Sequence, residues 1–224
     1  MIKFITKSDY GEYMSGRDQV VLEIFKEHNV KSQSQEWHLG SPQKRYVFDL
    51  VYGDLLDGHV KNRNILDIGA GMNGAMQRIA ENNTYCVVDI MQQPAFGNVR
   101  YLQSAWEVLN GQGTVDWDIV ICNDLFPNVD QRLLMFLDKF LPHCREIRMS
   151  LTYFNHPTWY QAKRVGGDEM LTMLQWNGLN VAEVLGENWG DKVDSDVMSG
   201  FTSNESIFPN GRQVCVIHLP GGAT

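Results

Sequence analysis

Several features that would define a protein class are scarce or missing in this sequence of 224 residues. The four cysteines lie far apart without a CxxC pair, and no HxH or HExxH spacing occurs, so we expect neither disulfides nor a metal site. No apolar run approaches the ~20 residues of a membrane span. The first residues also lack the apolar core of a signal peptide. These absences favour a reduced, cytoplasmic protein that does not enter a membrane.

Positive charge is also in deficit. The chain has 19 Lys and Arg against 27 Asp and Glu, which gives a net charge of −8. Because phosphate binding normally requires a basic surface, this balance argues against nucleic acid as the main partner. Hydrophobic residues make up 43% of the chain, as in ordinary globular proteins, and the length fits one domain with additions.

Residues 1–60 are predicted to form a helical N-terminal extension that covers a ligand site. Apolar residues between Val20 and Phe25 follow a helical period, and a second helical stripe begins at Pro42, with Ser41 as its N-cap. A polar break separates the two stripes. Lys44 and Arg45, on the second stripe, fit a solvated face.

Residues 61–224 read as one α/β domain. Short apolar runs alternate with helical stretches, which is typical of a doubly wound, Rossmann-like, mostly parallel sheet of seven strands with helices on both faces. The predicted strands are 64–68, 85–90, 99–102, 118–122, 146–151, 180–185 and 213–219, and the predicted helices are 74–81, 130–141 and 168–177. Residues 187–212 contain no convincing element and are interpreted as an inserted binding loop or lid.

The strongest motif is the sequence ILDIGAGMNG, which starts at Ile65, follows a strand and opens a helix. Gly69, Gly71 and Gly74 fit the spacing GxGxxG, in which glycines let the backbone turn tightly and approach a ligand closely. Asp67 lies two positions before the first glycine. A carboxylate there would repel a phosphate and favour a cationic ligand.

This strand-end DxGxG resembles motif I of the class I S-adenosylmethionine-dependent methyltransferases. The resemblance implies that the loop holds the methionine part of S-adenosylmethionine, which becomes S-adenosylhomocysteine. It also implies that Asp89, which ends the next strand, binds the ribose, because a carboxylate accepts two hydrogen bonds from a diol. The adjacent Ile90 is also implied to contact the cofactor. The loop residues so implicated are Asp67, Gly69, Ala70, Gly71 and Asn73.

Two further strand ends belong to this resemblance. Ser104 and Ala105 stand where the adenine would be contacted, although the acidic residue usual there is missing. Asn123 follows the run DIVIC in a segment similar to motif IV. Asn73 occupies the place of a third glycine. These departures keep open the alternative of a catalytically silent methyltransferase-like partner protein. The other alternative is an NAD-dependent Rossmann oxidoreductase, which Asp67 and the helices before the first strand of the sheet disfavour.

Three residues are candidates for catalysis. His156 lies in an aromatic-rich loop after the fifth predicted strand, His38 lies between the N-terminal stripes, and Asp124 follows Asn123. A histidine is the usual base for an alcohol or phenol acceptor, although a loop histidine bonded to the backbone explains the first two equally well. We expect methyl transfer to an oxygen or nitrogen of a small or medium-sized organic acceptor. A homodimer stays open.

Overall fold

The computed structural model describes residues 2–109, 117–126, 131–156, 158–163, 170–189, 201 and 206–223. The strands are β1 (Ile2–Phe4), β2 (Asn64–Ile68), β3 (Thr84–Asp89), β4 (Arg100–Gln103), β5 (Trp117–Phe126), β6 (Cys144–Tyr153), β7 (Thr158–Lys163), β8 (Met170–Gln175) and β9 (Gln213–Pro220). The helices are α1 (Lys7–Met14), α2 (Arg17–Lys26), α3 (Gln33–Gly40), α4 (Pro42–Leu56), α5 (Ala75–Asn82), α6 (Gln131–Phe140) and α7 (Gly178–Trp189). None of the helices in these ranges combines the length and apolar character needed to cross a membrane.

Within the described ranges, a seven-stranded sheet runs in the order β1-β9-β6-β5-β2-β3-β4. Strands β2 to β6 are parallel to one another, whereas β9 is antiparallel to both of its neighbours. Ile65 of β2 pairs with Tyr85 on one side and with Ile119 on the other, so β2 lies in the middle of the parallel part. The predicted α/β, doubly wound, mostly parallel sheet is confirmed.

Helices cover both faces of this sheet. Successive strand residues point to opposite faces, so Ile65 and Leu66 enter different cores. Leu66 packs in the core formed with α6 and α7. Ile65 packs in the core formed with α2, α4 and α5. The N-terminal helices therefore belong to the sheet's own hydrophobic core.

Two predicted elements after β6 are wrong. Met170–Gln175 is a strand paired antiparallel with β7, not part of a helix over 168–177. Residues 180–185 lie in α7, where Val181 and Leu185 are buried on one helical face. A short apolar run does not distinguish a buried strand from a helix by itself. The missed signal is Asn177, whose side chain accepts a hydrogen bond from the Asn180 amide at 2.9 Å and so caps the helix.

Two corrections concern the first 60 residues. The polar break before Pro42 contains α3, which is capped by the Ser32 hydroxyl through the Gln35 amide at 3.0 Å. The seventh strand of the sheet is not the predicted one over 180–185. It is β1 at the sheet edge, where Ile2 pairs with Ile217 of β9. Ser41 caps α4 as predicted.

The predicted loop 187–212 is described only in part. Residues 187–189 end α7 and 206–212 lead into β9, while 190–200 and 202–205 lie outside the described residues.

Candidate active site

The loop after β2 is shaped by two glycines. Gly69 and Gly71 have φ of +72° and +65°, a left-handed conformation that side chains other than glycine rarely adopt. A Cβ on Gly69 would stand 2.6 Å from the Leu125 Cδ1, and one on Gly71 would stand 2.9 Å from the Ser34 Cβ. The loop therefore leaves bare backbone between β5 and α3, where a ligand can approach closely.

Residues of α3 and its cap hold this loop in place. The Ser32 hydroxyl donates to the Met72 carbonyl, and the Ser34 hydroxyl donates to the Ala70 carbonyl at 3.2 Å. The buried Gln35 side chain accepts a hydrogen bond from the Gly74 amide at 2.8 Å. Because serine and glutamine are ordinary in polar segments, these contacts could not be predicted from the sequence.

Asp89 lies at the carboxyl end of β3, beside the glycine loop. Its Oδ2 accepts a hydrogen bond from the Gly71 amide at 2.9 Å, and its Oδ1 accepts one from the Met91 amide at 2.8 Å. A carboxylate oxygen can accept more than one hydrogen bond, so both oxygens keep capacity for a ligand hydroxyl. The hydrogen bond from Gly71 thus holds the Asp89 carboxylate beside the glycine loop.

Asp67 is buried behind the loop. Its Oδ2 accepts hydrogen bonds from the hydroxyls of Tyr52, at 2.8 Å, and Tyr85, whereas its buried Oδ1 has no partner among the described residues. Burial raises the pKa of the Asp67 carboxyl from 3.8 to about 7, although the two tyrosine hydrogen bonds oppose this shift. Asp67 can therefore influence the cavity in two ways. One is its hydrogen bond to Tyr52, which lines the cavity, and the other is its negative charge when it is ionised.

A cavity of about 560 Å³ opens over the carboxyl ends of the parallel strands. Ligands of doubly wound folds bind at this edge. The predicted residues that line it are His38, Gly69, Ala70, Gly71, Asp89, Ile90, Ser104, Ala105, Asn123 and Asp124. Three other predicted residues, Asp67, Asn73 and His156, are not among the described lining residues.

Asn73 and His156 have other surroundings. Asn73 is buried, and its side-chain oxygen accepts a hydrogen bond from the Ala75 amide at 3.2 Å, at the start of α5. His156 is exposed beyond the end of β6. The structure thus brings one of the two predicted histidines to the cavity, which is His38.

The end of β4 forms one wall of the cavity. The Ser104 amide donates to the Asp89 carbonyl at 2.9 Å, and the Ser104 hydroxyl donates to the Ala105 carbonyl at 3.0 Å. Trp106, which follows, is buried and also lines the cavity. In place of an acidic side chain at residues 104–105, this wall offers the Ser104 hydroxyl, backbone and an indole ring.

The end of β5 carries Asp124 in a left-handed conformation, with φ of +58°. The Ser150 hydroxyl accepts a hydrogen bond from the Asp124 amide at 2.9 Å and donates one to the Asn123 side chain at 2.7 Å. The Asp124 carboxylate lies 3.2 Å from the Lys44 Nζ and 3.1 Å from the Arg212 Nη1. Asp124 thus joins α4 to the segment before β9 across the cavity.

His38, near the C-terminal end of α3, is held between aromatic rings. Its ring stacks on Phe25 at 4.7 Å and meets the edge of Phe48 at 5.0 Å. Burial lowers the pKa of His38 to about 4, so the imidazole is neutral at pH 7. Its Nδ1 lies 2.7 Å from the Ser34 carbonyl, which only accepts, so Nδ1 carries the proton and Nε2 carries a lone pair.

Two cationic residues on α4 differ from the expected solvated face. Lys44 lines the cavity. Arg45 is buried, bonded to both carboxylate oxygens of Asp18 at 2.8 Å and to the carbonyls of His38 and Leu39. Arg212, which sequence reasoning also missed, reaches the cavity from the far end of the chain. Long-range ion pairs leave no local pattern in a single sequence.

The sequence matches no protein-family model and no curated protein. Solved structures do share its architecture. The magnesium protoporphyrin IX methyltransferase of Synechocystis PCC 6803, crystallised with SAM, is 14% identical with a TM-score of 0.50, and the match covers 94% of both chains. The 1,6-didemethyltoxoflavin-N1-methyltransferase of Burkholderia thailandensis, solved with its namesake compound and S-adenosylhomocysteine, is 14% identical with a TM-score of 0.51, covering 95% of this chain and 90% of that one.

A third structure, the N-terminal domain of EvdMO1 with SAH bound, is 12% identical with a TM-score of 0.52, covering 94% of this chain and 96% of that one. At these identities the likeness establishes the fold. The chain has the Rossmann-like fold of these three structures over nearly its whole length.

Proposed function

We propose that the protein is an S-adenosylmethionine-dependent methyltransferase that acts on an oxygen or nitrogen atom of a small or medium-sized organic acceptor. The observation that carries the proposal is the contact between the Gly71 amide and the Asp89 carboxylate at one wall of the cavity. This contact places a glycine of the loop beside a carboxylate that could bind a ribose diol. The fold shared with two methyltransferase structures and with the N-terminal domain of EvdMO1, each solved with SAM or S-adenosylhomocysteine, supports the same interpretation.

The residues present fit this cofactor. Gly69 and Gly71 line the cavity and have left-handed backbone conformations that favour glycine, so the loop presents main-chain groups to a methionine chain. Asp89 would accept hydrogen bonds from the ribose hydroxyls, and Ile90, Ser104, Ala105 and Trp106 would surround the adenine. When bound, the cofactor supplies an electrophilic methyl carbon on a sulfonium sulfur. The ionised form of Asp67, behind the loop, would favour that positive charge.

The chain's own contribution to the reaction is alignment, exclusion of water and proton removal. Helices α3 and α4 cover the cavity and would separate the acceptor from solvent. Within the cavity, His38 is the favoured base because its Nε2 carries a lone pair at neutral pH. Asn123 and Asp124, at the end of β5, would border the reacting atoms.

Calorimetric titration with S-adenosylmethionine, S-adenosylhomocysteine and NAD tests the proposal. We expect both sulfur nucleosides to bind and NAD not to bind. Asp89→Ala should weaken S-adenosylhomocysteine binding by 10-fold or more, because hydrogen bonds to a charged group contribute about 1.5–3 kcal/mol. Asp138→Ala removes the same charge from an exposed position on α6 and serves as the control. Binding of NAD alone, or no binding of either sulfur nucleoside, would refute the proposal.

A further inference from the structure

Two cations share one carboxylate at the β5 side of the cavity. We propose that Lys44 and Arg212 form a subsite for an anionic group of the methyl acceptor, a carboxylate or a phosphate, and that Asp124 occupies this subsite when the acceptor is absent. This inference rests on the proposed function and names the class of its substrate.

The charge balance of the three side chains favours an incoming anion. Lys44 and Arg212 carry two positive charges against the single negative charge of Asp124, and their side chains are only 27% and 15% exposed. Charges sheltered in this way are screened less by salt than surface charges. The group therefore holds one net positive charge inside a cavity of a protein whose net charge is −8.

Hydrogen-bonding capacity is also left over. Within the described part of the chain, the Arg212 guanidinium bonds to Asp124 through Nη1 alone, at 3.1 and 3.4 Å from the two oxygens. A guanidinium has five N–H donors arranged to grip a carboxylate or phosphate with two parallel bonds. The present contact with Asp124 uses one nitrogen, so a two-pronged grip is still open to a ligand.

Aromatic rings fix both cations at the cavity. The Lys44 Nζ lies 4.7 Å from the ring centroid of Trp37, and the Arg212 guanidinium carbon lies 4.3 Å from that of Phe208. Such contacts orient a cation without neutralising it. The two side chains are therefore preorganised for an anion, whereas a pair of solvated side chains would have to be ordered when it binds.

The backbone of Asp124 brings its carboxylate to the two cations. A residue other than glycine in the left-handed region costs about 1 kcal/mol or more and is typical of functional sites. Asp124 lies within an irregularity in the pairing of β5 with β6, between Cys122 and Phe126. The strained conformation places a built-in anion where the acceptor's anion would bind.

The position separates this subsite from the nucleoside. Asp89 lies at the end of β3 and Asp124 at the end of β5, with β2 between them. Two strand spacings amount to about 10 Å. The cations are thus on the far side of the glycine loop from the ribose-binding carboxylate, where an acceptor would face the methyl group.

Matched small probes test the inference. With protein saturated by S-adenosylhomocysteine, the affinities of benzoate, phenyl phosphate and the neutral benzamide are measured by ligand-observed NMR. We expect one of the two anions to bind at least 10-fold more tightly than benzamide, and the preferred anion distinguishes carboxylate from phosphate recognition. Arg212→Gln and Lys44→Met should each weaken anion binding, whereas Asp124→Asn should strengthen it at least 3-fold by removing the competing carboxylate. Arg100→Gln, an exposed arginine outside the cavity, is the control.

Three results would overturn the inference. The first is equal or absent binding of the anions relative to benzamide. The second is anion binding that Asp124→Asn leaves unchanged or weakens. The third is an Arg212→Gln variant that loses affinity for S-adenosylhomocysteine but not for 5′-methylthioadenosine, since the cations would then hold the cofactor's own carboxylate. Failure of the proposed function is a separate result, namely that wild-type protein does not bind S-adenosylhomocysteine at all.

Discussion

The side-chain oxygen of Gln35 accepts a hydrogen bond from the Gly74 amide, 2.8 Å away, although the two residues lie on different helical segments of the chain. The Gln35 Nε2 also donates to the Phe25 carbonyl at 2.7 Å. One buried amide therefore ties α2 and α3 to the point where α5 begins. The glycine loop is fixed from the N-terminal helices, not by its own residues alone.

Replacing Gln35 by leucine should reduce the free energy of unfolding by about 1–3 kcal/mol, because the Gly74 amide would be buried without an acceptor. Urea unfolding measures this loss. Gln19→Leu, at an exposed position of α2, is the matched control and should change stability by less than about 0.5 kcal/mol. Equal effects of the two substitutions would show that the Gln35 contact does not stabilise the fold.

The buried Asp67 should make stability depend on pH in a defined direction. Its pKa is raised from 3.8 in the unfolded chain to about 7 in the folded one, so the folded state binds the proton more tightly. Between about pH 4 and pH 7, its contribution to the free energy of unfolding therefore falls as the pH rises. The stability of wild-type protein relative to Asp67→Asn should decline across this window in urea titrations.

Removing one donor to Asp67 gives an independent check. Tyr52→Phe deletes the 2.8 Å hydrogen bond to the carboxylate, which should destabilise the fold and raise the Asp67 pKa further. Tyr46→Phe is the control, since its buried hydroxyl has no partner among the described residues. We expect that control to be neutral or slightly stabilising. The interpretation of Asp67 would be wrong if both substitutions cost the same.

His38 should titrate far below the usual range for histidine. Burial between Phe25 and Phe48 lowers its pKa from 6.5 to about 4, so its contribution to stability is complete above about pH 6.5 and is lost as the pH falls toward 4. NMR titration of the ring nitrogens, assigned with His38→Gln, measures the pKa and the tautomer. A pKa near 6.5 would show that burial does not perturb the ring, and a proton on Nε2 would remove His38 as the proposed base.

The sequence predicts the parallel half of the molecule well. Strands β2, β3 and β5 and the helix α5 follow strong local patterns, because strands buried on both faces have continuous apolar runs, whereas the exposed β4 has a weaker one. The edge strand β1 has three residues, and among the described residues it pairs with β9 alone, so no local sequence pattern predicts it. The secondary structure predicted for residues 168–185 is wrong for another reason. Pairing between β7 and β8 outweighs the intrinsic preference of residues 170–175.

Some residues of the candidate site could likewise be predicted from the sequence and others could not. Gly69, Gly71 and Asp89 could be placed at the cavity from sequence because one motif and one strand end specify them. Lys44 and Arg212 could not, because their roles arise from contacts with Asp124 that span 80 and 88 positions of the chain. The features that would select an acceptor are therefore the ones least visible in the sequence.

The pairing of β1 with β9 has a consequence for how the molecule is built. Phe4 pairs with Cys215, so nearly the whole chain lies between two neighbouring strands. Arg212 immediately precedes β9, and His38 and Lys44 lie on the helices that follow β1. Pairings between residues so far apart in the sequence are slow to form during folding. The part of the cavity that Arg212 lines can therefore form only after β9 has been synthesised and has paired with β1. Ligand binding to this part of the cavity would then indicate that the two strands have paired.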